Sequence, residues 1–303
     1  MTHAAHQHTS AGHGHGHAHG HDHAHAHGHG HDHGHDAANT QIEILDLDAE
    51  VLADQIASIV DSLPVPTPPA TIVDLGAGTG AGALALLRRF PDAQVTAVDT
   101  APAHLRRLVE KAETAGVADR VHPVEADLNA QWPPLGVPEL VWASASLHHV
   151  DDPARVLRLV HDLLAPGGLF ALVELADFPR FLPAGAPAES PGLEDRCHAA
   201  TPRHEGHADH RGTDWTPHLI EAGFTIEAHR TVTINLAPPL PDSVGRYALN
   251  ALRGLRHQAA DALAPEDLAV LDRLIDPDDP RSALRRPDLT VRTERVVWAA
   301  RKP

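Results

Sequence analysis

The sequence predicts an α/β fold: a doubly wound, largely parallel sheet preceded by a disordered tail. Three observations predict it. From about residue 71, short apolar runs alternate with amphipathic helical stretches. The run Ile72-Val73-Asp74-Leu75 passes straight into Gly76-Ala77-Gly78-Thr79-Gly80, a junction of strand, glycine turn and helix. Residues 1–36 hold fifteen His interleaved with Gly, Ala and Asp, with no Lys or Arg. Such a segment has too little apolar surface to offset the entropy of ordering.

The elements follow in order. The tail spans 1–38 and the fold begins near Asn39. Asp48 is placed to cap a helix running to about Leu63, because Val51, Leu52, Ile56, Ile59, Val60 and Leu63 recur at helical spacing. Pro64, Pro66, Pro68 and Pro69 break that helix. A strand at 71–75 leads into a helix at about 80–90. A strand at 94–98 leads into a helix that starts at Pro102, a favourable first-turn residue, and ends before Gly116. Strands at 121–124 and 139–143, a helix at 153–164 and a strand at 169–175 complete the cofactor-type core, about residues 70–175. The stretch 177–213 is rich in Pro, Gly, Ala and His, shows no periodic apolar face and reads as a lid. A helix at 215–222 and a strand at 224–236 resume the pattern. A helical insertion at about 238–287, with helices at 242–263 and 265–275, precedes a last strand at 291–300.

Composition bounds the function. The formal charge of −17 argues against a nucleic-acid backbone as partner, since phosphate contacts need clustered Lys and Arg. No apolar run reaches the roughly 18 residues of a membrane span, and none follows the start as in a secretory signal. Cys197 is the only cysteine, so no intrachain disulfide forms and a reducing cytoplasm is the expected compartment. The oligomeric state is not legible.

The glycine turn permits positive φ and close approach of a ligand. Asp74 precedes it, Asp99 ends the second strand, and Asp127 follows the third in Glu125-Ala126-Asp127-Leu128. Leu164-Ala165-Pro166-Gly167-Gly168 turns the chain into the fifth strand, and Trp142-Ala143-Ser144-Ala145-Ser146-Leu147-His148-His149 follows the fourth. Together these resemble the motifs of the class I S-adenosylmethionine-dependent methyltransferases, well over about residues 70–175 and loosely elsewhere. The resemblance implies a Rossmann-like seven-stranded sheet with a reversed last strand. It also implies methyl transfer from S-adenosylmethionine to a small-molecule acceptor. By the same resemblance Gly76, Ala77, Gly78 and Gly80 approach the methionine end, and Asp74 holds its amino group. Asp99, with Thr100 beside it, takes the ribose hydroxyls, Asp127 and Leu128 meet the adenine, and Ser144 lies at the end of the fourth strand.

Other readings stand beside this one. Gly76-x-Gly78-x-x-Ala81 also satisfies a dinucleotide fingerprint, with Asp99 at a suitable distance for a ribose acid, which would make the chain an NAD(P)-dependent oxidoreductase. That reading leaves Asp74, Asp127 and the Pro-Gly-Gly turn unexplained. Asp99 and Asp127 could instead cap local turns. His148, His149, Glu174, Asp177 and the lid histidines are candidate bases, with no motif to single one out. Cys197, His198, His204, His207 and His210 are zinc-type ligands without a zinc spacing. In the tail, His13, His15, His17, His19, His21, His23, His25, His27, His29, His31, His33 and His35 form an alternating series suited to nickel, zinc or copper. It allows an alternative in which the protein handles metal on a methyltransferase-like scaffold.

Overall fold

A computed structural model describes residues 32–201 and 210–303, with side chains from residue 39. The central strand β1 (Thr71–Leu75) pairs in parallel with β2 (Gln94–Asp99) on one side and β4 (Leu140–Ser144) on the other. β3 (Val121–Glu125) extends one edge beyond β2, and β5 (Leu169–Leu175) lies beyond β4. β7 (Val291–Arg301) inserts antiparallel between β5 and β6 (Thr225–Leu236), giving the order β3-β2-β1-β4-β5-β7-β6. The strand order reverses between β1 and β4, the switch point where open α/β sheets form a ligand crevice. β5 is buried along its whole length, as its unbroken apolar run around Glu174 predicts for a strand covered on both faces.

One face carries α2 (Ala53–Asp61), α3 (Ala81–Arg89) and α4 (Pro102–Thr114), through Ile59, Leu86 and Leu108 against Ile72, Trp142 and Val297. The other carries α5 (Pro153–Leu163) and α7 (Thr216–Glu221) against Val73, Leu75, Phe170 and Trp298. Asp152 caps α5 by accepting from the Arg155 amide at 2.9 Å, with Pro153 in the first turn. A second core joins α1 (Asp32–Val51), α6 (Leu193–Ala200), α8 (Asp242–Gln258) and α9 (Pro265–Ile275). No described helix is long and apolar enough to cross a membrane.

Two expectations change. The first helix does not begin at Asp48. α1 starts at Asp32, and Asp48 lies within it, four residues from the break at Leu52. Ile44 and Leu47 pack α1 into the second core, and helix propagates cheaply from a packed segment, so residues 32–38, assigned to the tail, are helical. The described parts of the stretch 177–213, residues 177–201 and 210–213, are also less loose than their composition suggests. Phe181, Leu182, Leu193 and Cys197 are buried in the second core. The Glu194 carboxylate accepts from the amides of Phe181 and Leu182, and burial pushes its pKa up to about 7. An eight-residue helix with two apolar anchors four residues apart leaves little periodicity to detect.

Candidate active site

The sequence folds into its glycine turn with φ of +69° at Gly76, +52° at Gly78 and +89° at Gly80. The turn's amides are used internally. Gly76 and Ala77 donate to the Val98 carbonyl, Gly78 donates to Asp99 Oδ2, and Gly80 donates to the Ala77 carbonyl. The protein's own packing requires glycine at two of these positions. At Gly76 a Cβ would overlap the Ser146 side chain, and at Gly80 it would stand 2.7 Å from Leu108 Cγ. A third glycine, Gly82 in α3, leaves room for the sheet: a Cβ there would overlap Trp142 Nε1 and stand 3.1 Å from Asp74 Oδ2.

A cavity lies beside this turn, roofed by α1 and α2. Of the residues expected at the cofactor, Asp74, Gly76, Ala77, Gly78 and Ser144 line it. Gly80, Asp99, Thr100, Asp127 and Leu128 do not; Gly80 precedes α3, and the others lie at or just past the ends of β2 and β3. Asp74 is 2 % exposed, and its Oδ2 has no hydrogen-bond partner. Burial, with the nearby Asp99 charge adding to it, pushes its pKa up to about 7 against a bond from the Ala83 amide. Trp142 Nε1 and Gln55 Oε1, also in the cavity wall, are likewise buried without partners. Two acceptors and one donor left unpaired in one buried wall carry a desolvation cost until a ligand meets them. The α-ammonium and α-carboxylate of a cofactor's methionine end supply both kinds of partner, so these residues fit S-adenosylmethionine. Ala145, next to Ser144 in the wall, holds φ of +51°, a strained value for a residue with a Cβ.

Asp99 serves the protein's own backbone as well. Oδ1 accepts from the Ala101 amide at 2.9 Å and lies 3.2 Å from His104 Nδ1; Oδ2 accepts from Gly78 at 2.8 Å. Burial would raise its pKa, but these bonds outweigh burial and hold it below the ordinary carboxylate value. Asp127 is exposed and closes a turn onto the Asn129 amide at 2.8 Å. Leu128 packs into the core with Val98 and Val141, and Thr100 is exposed. Both acids thus make the local turn contacts, and each carboxylate oxygen keeps further acceptor capacity.

The candidate bases separate. Glu174 and His148 form a buried pair, with Nδ1 and Oε2 2.7 Å apart. Glu174 also accepts from the Ser146 and Leu147 amides, so it pins the loop that follows β4. The His149 ring lies tilted by 47° against that of His148, with 4.0 Å between ring centroids. Asp177 pairs with Arg180 at 2.8 Å on the surface. His198 and His210 each have a buried, unpartnered Nε2. His204 and His207 lie outside the described residues. Among the described residues no three His, Cys, Asp or Glu are grouped to hold a metal. Burial pushes Cys197 up to about 11, which leaves it a packing residue. Of the tail series, His13 to His31 lie outside the described residues, as do the side chains of His33 and His35.

Sequence reasoning missed most of the cavity wall. Leu45 and Asp48 come from α1, Leu52 from the break after it, Gln55 from α2, Trp142 from β4 and Arg295 from β7. Leu45 Cδ1 would lie 3.5 Å from a Cβ on Gly78, so α1 roofs the glycine turn directly. Asp46 ties α1 to α4 through Arg107 at 2.7 Å and Lys111 at 2.9 Å. Trp142 was read within a motif, and the placing of its unpaired N–H beside Asp74, its register partner across the β1–β4 ladder, is a tertiary fact.

Comparison with known proteins points the same way. Residues 72–168 match the family model for a methyltransferase domain. The chain is 32 % identical over 228 residues to a malonyl-[acyl-carrier protein] O-methyltransferase of Halorhodospira halophila, covering 74 % of this chain and 71 % of that protein. It is 38 % identical over 104 residues to a trans-aconitate 2-methyltransferase of Methylobacterium radiotolerans, a stretch spanning 34 % of this chain and 37 % of that protein. A putative methyltransferase from Bacillus halodurans shares the fold, with a TM-score of 0.52 at 19 % identity, over 82 % of this chain and 99 % of that one. None of this supports the oxidoreductase reading. A relative that aligns over most of both chains is a methyltransferase, the activity that the motif order implies, and the chain therefore belongs to the class I S-adenosylmethionine-dependent methyltransferases.

Proposed function

We propose that the protein transfers a methyl group from S-adenosylmethionine to a small-molecule acceptor held in the cavity under α1 and α2. The observation that carries this is Asp74: a buried carboxylate with one unpaired oxygen, beside the unpaired Trp142 N–H and Gln55 carbonyl. Asp74 and Gln55 accept from the cofactor's ammonium, and Trp142 donates to its carboxylate. Gly76, Ala77 and Gly78 border the cofactor's methionine end in the cavity wall, and Gly80 turns the backbone into α3. Asp99 takes the ribose hydroxyls on its remaining lone pairs beside Thr100, and Asp127 and Leu128 border the adenine. Ser144, at the end of β4, stands at the boundary with the acceptor. The bound cofactor supplies a methyl group already activated by the sulfonium.

The protein's part is to hold acceptor and cofactor in line, and such positioning can supply about 7–11 kcal/mol of a barrier. The His148–Glu174 pair supports this by fixing the loop after β4 rather than by acting on the acceptor. A small acceptor agrees with a cavity roofed by two helices, with a relative named for trans-aconitate, and with a net charge that disfavours nucleic acid. The tail histidines, from His13 to His35, bind divalent nickel, zinc or copper as a separate property, in a cytoplasmic protein. Calorimetry with S-adenosylhomocysteine and with NAD tests the cofactor; labelled methyl incorporation from cell extract tests the acceptor. Binding of NAD alone, or label found only in macromolecules, would overturn the proposal.

A further inference from the structure

The cavity has two charged ends. Asp74 belongs to β1, and Arg295 belongs to β7, paired across the ladder with Leu175 of β5. With β4 and β5 between them, the two strands lie about 14 Å apart, three strand spacings. Val173 and Ile234 line the cavity together with Arg295 and its partner Asp48, so this end holds a cation and its counter-ion beside apolar groups.

Arg295 is 7 % exposed. A guanidinium taken that far from water is costly unless its charge and its donors are matched. Among the described residues it makes two hydrogen bonds: Nη1 donates to Thr293 Oγ1 at 2.9 Å, and Nη2 donates to Asp48 Oδ1 at 3.1 Å. The same Asp48 oxygen accepts from the Tyr247 hydroxyl at 2.6 Å. Asp48 therefore meets Arg295 end-on, through one oxygen already shared, where a guanidinium and a carboxylate usually pair through two parallel bonds. A guanidinium carries five N–H donors, so three are left, the Nε–H among them.

We propose that Arg295 anchors a carboxylate on the methyl acceptor, making the substrate an organic acid whose apolar portion lies along Val173 and Ile234. This rests on the methyl-transfer reading. Asp48 keeps the buried end neutral when no acid is bound. It also disfavours a doubly charged anion such as phosphate, which would meet its full repulsion at close range. With the cofactor's amino-acid end at Asp74 and the acid at Arg295, the span over β4 and β5 is left for the transferred methyl group and the accepting atom.

The test uses the full chain with hexanoate, hexanamide and inorganic phosphate as probes, by ligand-observed NMR, with and without S-adenosylhomocysteine. Hexanoate is expected to bind at least tenfold more tightly than hexanamide or phosphate. Arg295→Lys keeps the charge but loses the fork, and should weaken hexanoate at least tenfold while leaving S-adenosylhomocysteine affinity within twofold. Asp48→Asn removes the competing charge and should strengthen hexanoate severalfold, an effect that a purely structural ion pair would not produce. Equal binding of acid and amide, preference for phosphate, or hexanoate binding insensitive to both substitutions would overturn the proposal. Failure of the wild-type chain to bind S-adenosylhomocysteine would instead overturn the methyl-transfer reading, and the probe titrations without it would still decide the role of Arg295.

Discussion

Replacing Asp74 by Asn should stabilise the protein at pH 8 and cripple its cofactor site. Asp74 is buried at the tip of β1 with one oxygen unpaired, and its pKa stands near 7 against an ordinary 3.8. That difference corresponds to about 4 kcal/mol against the ionised form. The sign follows from linkage: a carboxyl whose folded pKa is raised contributes stability that is fully present below the unfolded value and lost as pH rises through the folded one. Between pH 5 and pH 8 the wild type should lose about 3 kcal/mol relative to Asp74→Asn, because the asparagine cannot ionise. Urea denaturation of both proteins across that range isolates the term, since every other titrating group is shared. The cofactor's ammonium needs the charged form. Below pH 7, wild-type affinity for S-adenosylhomocysteine should therefore fall about tenfold per pH unit, with a proton released on binding. Asp74→Asn should bind at least tenfold more weakly at pH 8. A stability difference that does not change with pH, or a variant that binds as well as wild type, would refute the reasoning.

Three further outcomes are expected. Gly82→Ala should destabilise by about 1–3 kcal/mol, although Ala normally favours a helix interior, because its Cβ meets the fully buried Trp142 and Asp74; denaturation showing equal or higher stability would count against the packing described. Asp99→Ala should weaken S-adenosylhomocysteine binding and also cost about 1–3 kcal/mol of stability, since the carboxylate holds the Gly78 and Ala101 amides. The Asp99 pKa is lowered, so its contribution is present above the unfolded value and is lost as pH falls through the folded one; a variant whose acid denaturation matches wild type would argue otherwise. Removal of residues 1–31, just short of α1, should abolish most nickel and zinc binding and leave S-adenosylhomocysteine affinity unchanged; the intact chain should release its ions as pH falls below about 6.5. Equilibrium dialysis that finds full metal stoichiometry in the truncated protein would place the metal site elsewhere.

By itself the sequence determined the order of strands and helices from β1 to β7, because period, glycine and proline are local signals. The strand at 71–75 and the helix at 265–275 match the structure residue for residue. It also determined which strand tips carry acids, and hence the family. It could not show α6, whose two anchors are too few to form a pattern, or the start of α1 among residues that resemble the tail. The cavity was decided only by tertiary structure. Asp48, Trp142 and Arg295 come from elements scattered over some 250 residues of chain, and no local rule links an arginine on the reversed strand to an acid on the first helix. Burial decided the chemistry as well. Asp74 and Asp99 are the same residue type at equivalent strand ends. One, with an oxygen left unpaired under a helical roof, is pushed up to about 7, while the other, bonded to two amides, is held low. The cost of desolvating a charge depends on what surrounds it, and those surroundings exist only once the chain has folded.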